Sequence, residues 1–182
     1  MSDIRITQLE NQEDNQPKQK SFMQRILKRL KDISAQSILD QLQNTNSGKL
    51  KFLNSLKNTY EPENSLKIQK LSNRRAITKL RTSNHNLAIE TGRWTNTERK
   101  NRLCTQCTES KIEDETHFLF ECPKYLDIRK TTFIYIKNNL GINLTNDFNI
   151  TNNLITLFKS DDINSLNAFG KFIKKAFGLI IT

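Results

Sequence analysis

Three cysteines and one histidine stand close together in the middle of the chain, and these residue types bind transition metals through sulfur and nitrogen. Cys104 and Cys107 form a Cys-x-x-Cys pair, followed by His117 and Cys122. A tight turn lets the two thiolates of such a pair face one ion, at Zn–S distances near ~2.3 Å. The spacing predicts a Cys-Cys-His-Cys zinc site that uses every cysteine present. A buried thiol cluster with an incidental histidine and an iron–sulfur cluster are the alternatives.

The backbone between His117 and Cys122 must depart from a regular α-helix if both side chains are to bind one ion. At about 100° per residue, positions five apart point roughly 140° away from each other. Pro123 disfavours the helical conformation at Cys122, so we expect a bend there. Three thiolates and one imidazole fill a tetrahedral shell, and the predicted zinc is therefore structural and not catalytic.

Basic residues clearly outnumber acidic ones, and the formal net charge is +10. A surplus of this size favours contact with nucleic-acid phosphates or another acidic surface. We expect RNA or DNA to be bound by two segments on the N-terminal side of the zinc-binding loop. The predicted contact residues are Arg74, Arg75, Lys79, Arg81, Arg93, Trp94, Arg99, Lys100 and Arg102.

Two of the residues in this part of the chain allow more than one interpretation. Trp94 either stacks on an unpaired base or anchors the core. His85 caps a turn or, as a lesser alternative, binds metal. The acidic residues around the predicted ion would repel phosphates, which is why the basic segments are expected to make the contacts. These acidic residues are Glu109, Glu113, Asp114, Glu115 and Glu121.

The composition predicts a mainly α protein, a small helical domain with an embedded zinc-binding loop, because Gly and Pro are few. Apolar residues at steps of three and four predict helices. The predicted helices cover residues 22–42, 50–56, 66–81, 123–140, 151–158 and 163–177. Residues 83–102 show no clear period and predict an ordered loop or short strand. Asp161 and Asp162 are expected to cap the last helix, and Gly141 is expected to end the helix over 123–140.

The predicted organisation has four parts. Residues 1–20 form a disordered leader, 21–62 the N-terminal helices, 63–140 the zinc-binding module, and 141–182 the C-terminal helices that pack on the same core. The helix over 22–42 has a basic side and either docks on its own core or binds a membrane surface, a partner or nucleic acid. We expect no membrane partner and an intracellular location, nuclear or cytoplasmic, because no apolar run approaches the roughly 20 residues of a spanning helix.

Together these residues resemble the zinc-binding C-terminal segment of reverse transcriptases from non-LTR, LINE-type retrotransposons. The similar stretches are 74–81, 83–87, 89–94, 102–104, 113–115 and 117–123, with weaker similarity over 170–177. In that family the segment lies downstream of the polymerase domain and helps to grip the element's RNA or target DNA. The resemblance implies a zinc-bearing nucleic-acid-binding module, with a reverse transcriptase or other protein as a partner in trans.

Polymerase chemistry is not expected from this chain. The family's aromatic-x-Asp-Asp motif binds magnesium, but Phe158 stands one position too far from Asp161 and Asp162 to complete it. The sequence offers no Ser/His/Asp triad and no phosphate-cradling glycine loop, so we expect no enzyme activity. The alternatives to nucleic-acid binding are a protein-interaction adaptor with a purely structural zinc and a decayed retroelement fragment.

Overall fold

The computed structural model describes residues 16–44, 50–57, 61–145 and 149–180. Contacts divide the chain between Asn44 and Thr45 into two units. Residues 1–15 of the predicted leader lie outside the described residues. The organisation in four parts stays a prediction.

The described part of the first unit is one long helix, α1 (Gln16–Asn44), which begins within the predicted leader. Most of its described apolar side chains are exposed within this unit. Phe22, Leu27, Leu30 and Ile33 each have more than half of their surface accessible. The interpretation in which this apolar side docks on a core stays a prediction.

The core of the second unit is built around two helices, α3 (Leu71–Arg81) and α7 (Ile163–Gly178). They run side by side in the same direction. Near their starts, the side-chain amide of Asn73 donates to the side-chain oxygen of Asn167 at 2.8 Å. Beyond the end of α3, the ring of His85 stacks on Phe177 near the end of α7. Gly170 permits this close approach, because a Cβ there would lie 2.7 Å from the Asn73 carbonyl oxygen.

Further helices cover this pair. They are α2 (Lys51–Leu56), α5 (Leu126–Leu140) and α6 (Ile150–Lys159). Helix α5 packs on α7, and α2 packs on α6. The helices predicted over 50–56, 123–140, 151–158 and 163–177 are thus confirmed, although Pro123–Tyr125 forms a 3-10 turn before α5 begins. Gly141 ends α5 in the left-handed conformation, with a φ of 67°, as expected.

The helix predicted over 66–81 is interrupted. Asn64–Lys67 is a 3-10 turn, and Ile68 is extended before α3 begins. The Arg74 guanidinium donates to the carbonyl oxygens of Leu66 and Ile68 at 3.0 and 3.3 Å. Since a side chain satisfies these carbonyls, a continuous helix is not needed, and the buried Ile68 can turn into the core.

The loop or strand predicted over 83–102 is wrong, because this segment contains α4 (Ala88–Trp94) and a 3-10 turn at Arg99–Asn101. The first amides of α4 are satisfied from a distant part of the chain. The Ala88 amide donates to the Glu113 carboxylate at 2.7 Å, and the Ile89 amide donates to the Glu113 carbonyl at 3.1 Å. A short helix held in this way needs no amphipathic period of its own.

Helix α7 begins with the cap expected for it. The Asp162 carboxylate accepts from the Asn164 amide at 3.0 Å and from the Ser165 hydroxyl at 2.6 Å. Asp161 instead faces the 3-10 turn, where it accepts from Asn64 and Lys67. Among the described residues, no helix has the length and apolar character required to cross a bilayer.

Candidate metal centre

The side chains of Cys104, Cys107, His117 and Cys122 converge on one point, and their ligand atoms all lie within 4.8 Å of one another. The sulfurs of Cys104 and Cys122 are 4.0 Å apart, and the Cys107 sulfur is 3.4 Å from His117 Nε2. A tetrahedral zinc separates such atoms by roughly 3.5–3.8 Å, given bonds of about 2.3 Å to sulfur and 2.0 Å to nitrogen. The predicted convergence is confirmed, and the four side chains can hold one metal ion.

The first half of this metal loop (residues 102–122) is a small hairpin. An antiparallel bridge joins Leu103 to Ile112. The Cys104 amide donates to the Lys111 carbonyl at 2.8 Å, and the Glu113 amide donates to the Arg102 carbonyl at 2.9 Å. The chain therefore returns on itself between Cys104 and Ile112, which brings Cys107 to the same side as Cys104.

The second half of the metal loop is a π-helix, His117–Glu121. The Cys122 amide donates to the His117 carbonyl at 2.7 Å, so the two ligands are joined by a bond that spans five residues. Cys122 itself is extended, with a φ of −54° and a ψ of 120°, and Pro123 follows it. The bend predicted at Cys122 is confirmed. The wider π turn, which sequence reasoning missed, also brings both ligands to one side.

The other ring nitrogen of His117 faces a carboxylate. His117 Nδ1 lies 3.4 Å from Glu121 Oε2, and the same oxygen accepts from Lys111 Nζ at 3.1 Å. A carboxylate there favours a proton on Nδ1, which leaves the Nε2 lone pair for a metal. Asp114 supports the histidine from the backbone side, since its carboxylate accepts from the His117 amide at 3.0 Å.

Arg129 is a buried cation beside the centre that sequence reasoning missed. Its guanidinium donates to the Phe120 carbonyl and, at 2.6 Å, to the Cys122 carbonyl. These carbonyls end the π-helix and would otherwise be buried without donors. The sequence contained a signal for this role. Arg129 stands four residues after Tyr125 and four before Phe133, so it lies on the buried side of α5, where an apolar residue is expected.

Burial of the centre changes the acidity of its thiols. Desolvation raises the pKa of both the Cys104 and the Cys122 thiols. Without a cation they are therefore neutral thiols at pH 7. A bound dication favours the thiolates, so metal binding would release protons.

Two of the acidic residues expected to repel phosphates are buried and used inside the fold. Glu113 caps α4, and Glu115 accepts from the Ser83 hydroxyl at 3.0 Å. Glu115 also lies 3.1 Å from His85 Nε2, while the Leu87 amide donates to His85 Nδ1 at 3.4 Å. His85 therefore orders a turn, as expected, and is not in the metal group. The acidic surface around the centre is smaller than predicted.

Three of the predicted contact residues hold the fold together. Arg81 is buried, forms two bonds to the Glu63 carboxylate at 2.6 and 3.0 Å, and lies over the Phe158 ring. Arg102 donates to the carbonyls of Thr97 and Ile89 at 2.9 and 2.7 Å. Arg74 bonds the carbonyls before α3, as described above. Arg81 and Arg102 in particular have little surface left for a phosphate.

The other predicted contact residues reach solvent. Arg75 and Lys79 are exposed on one side of α3 and form no ion pair with the described part of the chain. Three more cations have acidic neighbours, of which Glu90 is buried and the other two are partly exposed. Arg93 pairs with Glu90 at 3.7 Å, Arg99 with Asp114 at 3.5 Å and Lys100 with Glu98 at 3.0 Å. Trp94 is 74% exposed, so its interpretation as a core anchor is wrong.

No protein-family model, no curated protein and no solved structure matches this chain.

Proposed function

We propose that this protein is a non-catalytic nucleic-acid-binding module in which Cys104, Cys107, His117 and Cys122 hold one structural zinc ion. The observation that carries the proposal is the link between the metal loop and the exposed residues at the end of α4. Glu113, within the loop, caps the start of α4. An ion in the loop would thereby fix a short helix that ends in an arginine and an exposed tryptophan.

The donor set supports zinc over the alternatives. Three sulfurs and one nitrogen within 4.8 Å of one another fit a single tetrahedral ion. An iron–sulfur cluster places several irons and sulfides between its cysteines and requires a wider spacing. Four protein ligands leave no open position for a substrate, which supports a structural role for the ion.

The phosphate contacts are assigned to the exposed cations. Arg75 and Lys79 lie four residues apart on α3 and so project from the same side of that helix. Arg93, Arg99 and Lys100 add charge near the metal loop. The ion pairs of Arg99 and Lys100 are partly or largely exposed, and such pairs contribute little to stability, so phosphates can replace their carboxylates. Arg93 is itself partly exposed but faces the buried Glu90.

The test combines metal analysis of the purified protein with binding of labelled RNA and DNA at several salt concentrations. We expect one zinc per chain and an affinity that falls steeply with salt. Arg75→Gln and Lys79→Gln should each reduce the slope of log affinity against log salt by about 1. Lys137→Gln, an exposed position on α5, is the control and should leave the slope unchanged. Binding that is absent, or that ignores salt, would reject the proposal.

The adaptor alternative has one observation in its favour, the exposed apolar side of α1 described above. Exposed apolar stretches of this kind often mark protein-binding surfaces. This alternative predicts a defined complex with a polypeptide and no affinity for RNA or DNA at low salt, so the same titration separates the two functions.

A further inference from the structure

Trp94 is the only tryptophan in the chain, and it is the most exposed of the large apolar residues described. An indole ring that stays in water contributes none of the stabilisation that burial of its large apolar surface would give. Its position at the end of α4 therefore needs an explanation other than the stability of the fold.

The backbone around Trp94 is held firmly. The chain folds back after the helix, with the Thr97 amide donating to the Gly92 carbonyl at 2.7 Å. The Arg102 guanidinium then ties Thr97 to Ile89, and its aliphatic part lies against Gly92, where a Cβ would meet Arg102 Cγ at 2.6 Å. The indole is thus presented to solvent from an ordered segment.

The charges near Trp94 suit a polyanion. Arg93 precedes it, and Arg99 and Lys100 lie in the turn that follows α4. Each of these cations has an acidic neighbour, but the pairs with Asp114 and Glu98 are solvent-accessible and readily exchanged. Cations thus stand before and after the exposed tryptophan along this segment of the chain.

We propose that Trp94 stacks on an unpaired base, so that the substrate of this surface is single-stranded nucleic acid. This inference rests on the proposed function and specifies the class of its ligand. Base–aromatic stacking needs an open base face, which single strands offer along their length and duplexes only at their ends. A tryptophan at a protein–protein contact is the competing use of the same side chain.

Because Trp94 is the sole tryptophan, fluorescence of the full chain excited at a wavelength that tyrosine does not absorb reports on this position alone. The zinc-loaded protein is titrated with a single-stranded oligonucleotide, with an abasic strand of equal length, and with the corresponding duplex. We expect the base-bearing strand to quench the emission. The abasic strand should bind through its phosphates without quenching, and the duplex should quench weakly.

Variants sharpen the measurement. Trp94→Ala should weaken binding of the base-bearing strand on the order of tenfold and leave binding of the abasic strand unchanged, while Trp94→Phe should recover part of the loss. Tyr135→Ala removes another exposed aromatic, 42% accessible on α5, and should alter neither affinity nor quenching. Zinc content and circular dichroism verify that each variant is folded.

The outcomes separate this inference from the function on which it rests. Salt-dependent binding with equal affinity for wild type and Trp94→Ala, or equal quenching by duplex and single strand, overturns the stacking role and leaves the proposed function standing. Failure of every strand to bind at low salt removes both.

Discussion

The metal loop and the α3–α7 pair lie in the same unit but are ordered by different means. Side chains with no accessible surface, such as Ile77, Leu80 and Ile173, hold the helix pair. The metal loop has little regular backbone bonding, and polar side chains such as Glu113, Asp114 and Arg129 hold its turns. We infer that the helix pair is stable chiefly by burial, whereas the conformation of the loop would depend on an ion bound by its four ligand side chains.

Loss of a metal ligand is expected to have the largest effect on stability, and it tests whether the metal loop and the helix pair unfold separately. Cys122→Ser, or removal of the proposed zinc with a chelator, is expected to destabilise the metal loop by several kcal/mol, because structural zinc contributes apparent binding energies of about 10–16 kcal/mol in small domains. Hydrogen exchange should accelerate first in residues 102–122 and later in α3 and α7. Thr108→Ser, exposed in the same loop, is the control. If the metal loop and the α3–α7 pair lost protection from hydrogen exchange at the same time, the two regions would not be ordered independently.

A smaller effect is expected from a change confined to the helix pair. Gly170→Ala places a methyl group against the Asn73 carbonyl at 2.7 Å, and such overpacking costs about 1–3 kcal/mol. Chemical denaturation should reveal the loss while zinc content stays at one per chain. Gly178→Ala in the same helix meets nothing within 4 Å and should be neutral or slightly stabilising. Loss of zinc from Gly170→Ala would show that the two regions are not separable.

The smallest effect concerns the start of α7. Asp162→Ala removes the side-chain cap and should cost about 1 kcal/mol, whereas Asp161→Ala removes only exposed contacts with Asn64 and Lys67 and should cost almost nothing. Both are measured as free energies of unfolding at neutral pH.

The cap also has a predictable pH dependence. Hydrogen bonds from the Ser165 hydroxyl and from the amides of Ser165 and Asn164 lower the pKa of Asp162. The folded pKa is therefore below the unfolded one. The difference between wild type and Asp162→Ala should be constant above pH ~4 and should shrink as the pH falls through the folded pKa. A difference that grows in acid would contradict this assignment.

The features that depend on residue type and local period could be predicted from sequence. The metal ligands were recognisable because their types and spacing suffice, and α7 because Leu166, Phe169 and Ile173 repeat at helical steps. Helix α4 was not predictable in this way, since Glu113 satisfies its first amides from a later part of the chain. The π turn likewise depends on Arg129, which caps its carbonyls from the following helix.

The roles of the basic residues also could not be predicted from the sequence alone. Net charge indicates a polyanion as ligand but does not distinguish Arg81, which lies buried between Glu63 and Phe158, from the exposed Lys79. Glu63 lies 18 residues from Arg81, and Ile89 lies 13 residues from Arg102. Only the folded chain therefore separates structural cations from those available to a ligand. Trp94 is the opposite case, an apolar residue that the fold leaves in water.

The contact between Phe118 and Phe177, whose rings stack at 4.8 Å, has a consequence for biosynthesis. Phe118 belongs to the metal loop, and Phe177 lies near the end of α7, which the ribosome makes much later. A nascent chain can therefore complete the metal loop before Phe177 is made. Translation pauses before α7 would prolong the period in which Phe118 lacks its aromatic neighbour.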